Sequence, residues 1–123
     1  MDITLLKEQG QQIAVVAIEA GAIASAQDVL DTIASAAFDT DSQAIVLDKQ
    51  AFAESCFDLS TQLLGEALQK FVNYRIKLAI VGDFSGYASK SLQALIRESN
   101  RGRDVCFAST QTEAIRMLLA VMA

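Results

Sequence analysis

FDLSTQLLGEALQKFVNYRIKLAIVGDFSGYASKSLQALIRESNRG, residues 57–102, decides the fold. Polar Asp58, Ser60 and Thr61 open the stretch, and Leu64, Ala67, Leu68 and Phe71 then recur at helical spacing. A helix is therefore predicted from about Ser60 to Tyr74. Glu66 and Lys70 are four residues apart and form a solvent-side pair on it. Ile76 to Val81 is an apolar run with little polar face to expose, the pattern of a strand buried on both sides. Gly82-Asp83-Phe84-Ser85-Gly86 then turns the chain into a further helix, with Ala88, Leu92, Leu95 and Ile96 inward and Gly102 as its stop.

The same alternation extends outward. Ile3–Leu6 and Ile13–Ile18 read as two strands of a hairpin turning around Gly10. Ser25, with Asp28 three residues on, caps a helix that carries Val29, Leu30, Ile33, Ala36 and Ala37 on one face and ends near Phe38. Ala44–Leu47 is a second doubly buried strand with Asp48 at its carboxyl end. Lys49 to Asp58 is irregular, a loop with one helical turn anchored by Phe52 and Phe57. Val105–Ala108 is the last strand. Thr110 and Glu113 form a capping box for a final helix with Ile115, Leu118, Leu119 and Met122 inward.

The order is β-β-α-β-α-β-α-β-α: an α/β fold with a mainly parallel sheet, one antiparallel edge pair and flanking helices, over residues 1–123 as a single domain. Ile45, Leu47, Ile80 and Val81 are expected to be buried. At 123 residues and 52% hydrophobic content the chain supports one core and is too short for two ordinary domains.

Ten Lys and Arg against fifteen Asp and Glu leave a net charge of -5, which repels phosphate backbones and anionic membranes, so no nucleic-acid or membrane partner is expected. The N-terminus lacks a secretory pattern and no apolar run reaches bilayer length, which predicts a cytoplasmic protein. Cys56 and Cys106 have no CxxC spacing and read as free thiols. Cys106 is a core residue; Cys56 reads as a packing cysteine, although a helix start nearby can lower a thiol pKa. With no histidine in the chain, histidine-dependent nucleophile systems and imidazole zinc sites are excluded. No GxGxxG or GxxxxGK[ST] word precedes a helix, so no nucleotide site is read, no cofactor is expected, and the chain is read as a non-enzyme.

The element order resembles the STAS module of sulfate transporters and anti-sigma-factor antagonists over nearly the whole chain. FDLSTQLLGEALQKFVNYRIKLAIVGDFS and SKSLQALIRESNRG also look like a bacterial family known as a domain of unknown function, grouped here with STAS-like proteins. The STAS resemblance implies a protein-interaction module. Its antagonists deliver a Ser or Thr, often just after an Asp, to a helix start, where a partner kinase phosphorylates it. By position Ser60 is the closest match and Thr61 the next, with an intervening Leu59 and a longer loop as departures. The alternative role for Asp58, Ser60 or Thr61 is to cap the helix.

Two further residue sets are candidates. Asp48 and Asp83 close predicted strands and, with Asp58, offer carboxylates at the sheet edge where ligands of open α/β sheets bind. Such a set holds Mg²⁺ or a cationic ligand if it converges; the solvated-loop reading predicts no metal site. Receiver domains use this layout but need a Lys after the last strand, where this chain has Ala108-Ser109. Lys90, Arg97 and Arg101 form a basic stripe on the outer face of the third helix, either a plain solvated face or a surface for an acidic protein partner or a phosphate, with Phe84 and Tyr87 near its entry as apolar anchors or as core residues. Three functions follow: a STAS-like interaction module under Ser/Thr phosphorylation, a small-ligand or metal-binding domain, and a homo-oligomeric assembly domain that pairs through edge strands or an apolar helix face.

Overall fold

A computed structural model describes residues 1–122. In chain order the elements are β1 (Asp2–Glu8), β2 (Gln11–Ala17), α1 (Ala26–Ile33), β3 (Ala44–Asp48), α2 (Leu63–Asn73), β4 (Lys77–Val81), α3 (Lys90–Arg101), β5 (Val105–Ala108) and α4 (Gln111–Met122). The strands lie side by side in sequence order, β1 antiparallel to β2 and every later pair parallel. This is the α/β architecture and the single antiparallel edge pair that the sequence predicts.

Local chemistry sets the elements. Gln9 and Gly10 both have positive φ (52° and 78°), which makes a two-residue turn whose twist matches the strands it joins. Ser25 Oγ accepts the Asp28 amide at 3.2 Å, while the Asp28 carboxylate reaches back to the Ala24 amide at 3.0 Å. α1 then widens into a π-helical turn over Ala34–Phe38, so the helical segment ends where the apolar periodicity stops.

A sequential strand order joined by right-handed crossovers puts every crossover helix on the same face of the sheet. α1, α2 and α3 accordingly share one core with Ala14, Val16, Ile45, Leu47, Leu78, Ile80, Val105 and Phe107. The intervening strand residues Ile13, Ala44, Val46, Ala79, Cys106 and Ala108 point the other way, where α4 covers them with Ala114 and Leu118. Ala44–Leu47 of β3 and Val105–Ala108 of β5 are apolar throughout because both faces are covered.

Several expectations shift. Ile45, Leu47 and Ile80 are fully buried, but Val81 is only partly covered, because it lies at the end of β4 on the face where α4 begins. The second helix starts at Leu63, after three short 3₁₀ turns at Lys49–Ala51, Glu54–Phe57 and Leu59–Thr61. Gln62 sits between the last turn and α2 at φ +64°, a left-handed position that breaks the helical run read from Ser60. Ala88 is exposed and precedes α3. The ion pairs among the described residues are Arg101–Glu98 and Arg116–Glu113, so Glu66 and Lys70 do not meet. Thr110 accepts the Glu113 amide at 3.2 Å, but the Glu113 carboxylate turns to Arg116 and only half of the capping box forms. Among the described residues no helix is long and apolar enough to cross a membrane.

Leu47 is fully buried in the three-helix core. Leu47→Ala is therefore expected to cost about 2–5 kcal/mol in urea unfolding through lost burial and the cavity left behind. An effect under about 1 kcal/mol would contradict the burial assigned to β3.

Candidate functional site

The carboxyl ends of β3 and β4 and the loops that follow them gather most of the polar chemistry of the chain. Lys49 follows Asp48 at the end of β3, and Gly82 follows Val81 on the paired strand. Gly82 leaves the room that Lys49 needs: a Cβ there would lie 2.7 Å from the Cγ and Cδ of the lysine stem. The stem crosses Gly82, and Nζ donates to the Asp83 carbonyl at 2.9 Å. The ammonium also lies 4.9 Å from the centre of the Tyr87 ring and 5.5 Å from that of Phe84, within cation–π range.

The rings beneath form a connected cluster. Phe57 meets Phe84 at 5.5 Å and Tyr87 at 5.6 Å, Phe84 meets Phe107 of β5 edge-on at 5.3 Å, and Phe52 joins Phe57 at 6.0 Å. These contacts pin the loop after β3 to the loop after β4. Phe84 consequently takes the core role of the two open to it, while Tyr87 is partly exposed. Burial pushes the Tyr87 phenol up to about 12, and the neighbouring Glu54 carboxylate adds to the shift.

Each of the three candidate carboxylates turns onto its own loop. Asp48 accepts the Gln50 amide at 2.9 Å. Asp58 accepts both the amide and the hydroxyl of Ser60, at 3.1 and 2.7 Å, and Asp83 holds Ser85 in the same way at 2.9 and 2.6 Å. Chain segments Asp-Leu-Ser and Asp-Phe-Ser thus make the same turn twice, and the Ser bonds hold both Asp58 and Asp83 below the usual carboxylate range. Among the described residues no three Cys, Asp or Glu side chains come together as a metal site. Asp48 instead faces a cleft of about 450 Å³ on the α4 side, with Asp2, Thr4, Val15, Val46 and Val81.

Ser60 and Thr61 are both exposed, one 3₁₀ turn before α2 and not in its first turn. The Thr61 hydroxyl is tied into the fold, lying 3.0 Å from the Ser55 carbonyl and 2.8 Å from that of Asp58, and accepting the Leu63 amide at 3.3 Å. Among the described residues the Ser60 hydroxyl hydrogen-bonds only to Asp58. α2 itself has no side-chain cap. Of Asp58, Ser60 and Thr61, each a candidate helix cap, Asp58 caps the 3₁₀ turn Leu59–Thr61 and none is the N-cap of α2.

Lys90, Arg97 and Arg101 are exposed along α3, with Arg101 paired to Glu98 at 3.4 Å. Arg103 beyond the helix donates to the Val121 carbonyl at 2.7 Å. Cys56 is buried and donates to the Ile23 carbonyl at 3.6 Å; burial raises its pKa, so it is a packing cysteine and not an activated thiol. Burial pushes the Cys106 thiol up to about 11.

Residues 8–118 match a protein-family description, domain of unknown function DUF4180. The chain belongs to that family. The match runs from the hairpin turn into α4 and so contains Lys49, the aromatic cluster and both Asp-x-Ser turns. No curated protein and no solved structure matches the chain.

Lys49 is the residue that sequence reading missed. Its signal was present as a pair, a Lys one position past the end of one strand and a Gly one position past the end of the next.

Two pH responses follow. In a Tyr74→Phe background the phenolate absorbance should report Tyr87 alone, with a midpoint near 12 that falls in Glu54→Gln; a midpoint at the ordinary value of 10.0 would contradict the packing. Because the folded state holds this proton more tightly, the contribution of Tyr87 to stability is present below 10 and lost as pH rises towards 12. Asp28, Asp58 and Asp83 behave oppositely: their folded pKa values lie below 3.8, so their contribution is present above that value and lost as pH falls through it. The urea midpoint should drop on acidification below 3.8, and drop less when the three are replaced by Asn; equal slopes would refute the role of these turns.

Proposed function

We propose that the protein is a STAS-like protein-interaction module, controlled by phosphorylation of Ser60. The observation that carries this reading is the unequal engagement of two neighbouring hydroxyls. Thr61 is committed to three backbone groups, whereas exposed Ser60 has a single tie, the Asp58 carboxylate at 2.7 Å. A kinase can reach Ser60 without dismantling the core.

The electrostatics supply the switch. A phosphate carries about two negative charges near neutral pH and would replace the Ser60 hydrogen with like charge beside the Asp58 carboxylate. Asp58 would then release the Ser60 amide, and the turn before α2 would open. The partner surface includes this turn and extends to the exposed cations of α3, Lys90, Arg97 and Arg101, which favour an acidic protein. The ligand reading built on Asp48, Asp58 and Asp83 has less support, since each carboxylate is already bonded within its own loop.

Ser60→Asp is expected to weaken a partner recovered from native lysate while Ser60→Ala retains it. Retention of that partner by both variants would end the proposal. Stability separates the roles: Asp58→Ala should lower the urea midpoint through loss of the cap on the Leu59–Thr61 turn, and Ser60→Ala, an exposed substitution, should lower it less.

A further inference from the structure

The two edges of the sheet are finished differently. At β5 the Asn100 side chain occupies the outward backbone groups of Phe107: Oδ1 accepts the Phe107 amide at 2.7 Å and Nδ2 donates to the Phe107 carbonyl at 3.2 Å. A strand approaching that edge would have to displace Asn100. β1, at the other edge, pairs with β2 alone, runs seven residues in unbroken register, contains no proline, and leaves Leu5 47% exposed.

The phase of the hairpin says which groups β1 offers. A two-residue turn makes Glu8 and Gln11 a hydrogen-bonded pair, so bonded pairs recur at Leu6–Ile13, Thr4–Val15 and Asp2–Ala17. Consistent with this, the Gln12 backbone turns to the other side, its amide donating to Gln43 Oε1 at 2.9 Å and its carbonyl accepting the Gln43 amide at 3.0 Å. Ile3, Leu5 and Lys7 therefore point their N–H and C=O groups outward. Their side chains share the face covered by α1, where Ile3 packs on the core.

We propose that β1 is a self-pairing edge, at which a second copy of this chain adds its own β1 antiparallel about a two-fold axis through Thr4. Such an axis stands normal to the sheet and keeps each face on its own side, so only residues of the same facing can oppose one another. Centring on Thr4 sets Ile3 against the partner's Leu5 and Leu5 against the partner's Ile3, four apolar side chains in one cluster on the α1 side. Thr4 then faces the partner's Thr4 on the other side, a favourable cross-strand pair. Centring on Leu5 instead sets Asp2 against the partner's Glu8 twice, like charges directly opposed. Centring on Ile3 leaves Lys7 without a strand partner. Both Ser60 turns stay outside the joined strands, so this proposal rests on no part of the phosphorylation reading.

Sedimentation of the full chain over a concentration series should show the mass doubling, and Leu5→Lys should hold it at one copy with an unchanged far-ultraviolet spectrum. Register is read by oxidation. In a non-hydrogen-bonded antiparallel pair the Cα atoms lie about 4.5 Å apart, within disulfide reach, so Thr4→Cys should form a covalent dimer and Leu5→Cys should not. A chain that stays at one copy at every concentration overturns the proposal, as does doubling that survives Leu5→Lys. Cross-linking of Leu5→Cys in place of Thr4→Cys overturns the assigned register.

Discussion

Each of the three later strands is bonded within a parallel ladder and must bury side chains on both faces, and the rest of the fold follows from that requirement. Right-handed crossovers in sequence order place α1, α2 and α3 on one side, which leaves Ile13, Ala44, Val46 and Ala79 without cover unless a further element folds back. α4 is that element. It follows β5 after a short turn, docks Ala114 and Leu118 on the sheet, and makes a two-sided core from a chain of 123 residues. The cover is uneven: α4 leaves Val15 and Val81 partly open towards β1.

With the strands fixed, the loops at their carboxyl ends are shaped by short-range polar bonds laid over an aromatic base. Phe52, Phe57, Phe84, Tyr87 and Phe107 hold the loops after β3 and β4 together, and Lys49 lies across the opening that Gly82 provides. Above this base, Asp58 and Asp83 each clamp a serine two residues on. Both clamps are exposed, so neither is needed to hold the core. Ser60 is distinguished from Ser85 by its place just before α2, where a change in the turn reaches an uncapped helix start.

How much was legible follows from which forces act locally. Apolar runs such as Ala44–Leu47 and Val105–Ala108 specify buried strands directly, because no other placement hides them, and the Ser25–Asp28 pair marks its helix start through contacts within four residues. The start of α2 was misplaced by three residues, because Gln62 adopts positive φ without being glycine and Thr61 diverts its hydroxyl to Ser55, six positions back. The choice between anchor and core for Phe84 is not made locally, since its contacts with Phe57 and Phe107 arise only when distant segments meet. Lys49 escaped for the same reason: its partners Gly82, Asp83 and Tyr87 are more than thirty residues away. Asp48 and Asp83 follow the strand ends where the sequence puts them, but the three carboxylates Asp48, Asp58 and Asp83 do not converge, because each accepts the amide two residues on, a short-range turn bond that forms before any long-range approach.

A switch at Ser60 requires that its turn open while the two-sided core stays intact. Amide hydrogen exchange on Ser60→Asp, compared residue by residue with the natural sequence, tests it most directly. Protection should be lost at Ser60, Thr61 and Gln62, with Ile45, Leu47, Leu78 and Ile80 exchanging as before. Unchanged protection in the turn, or loss that spreads through β3 and β4, would contradict it.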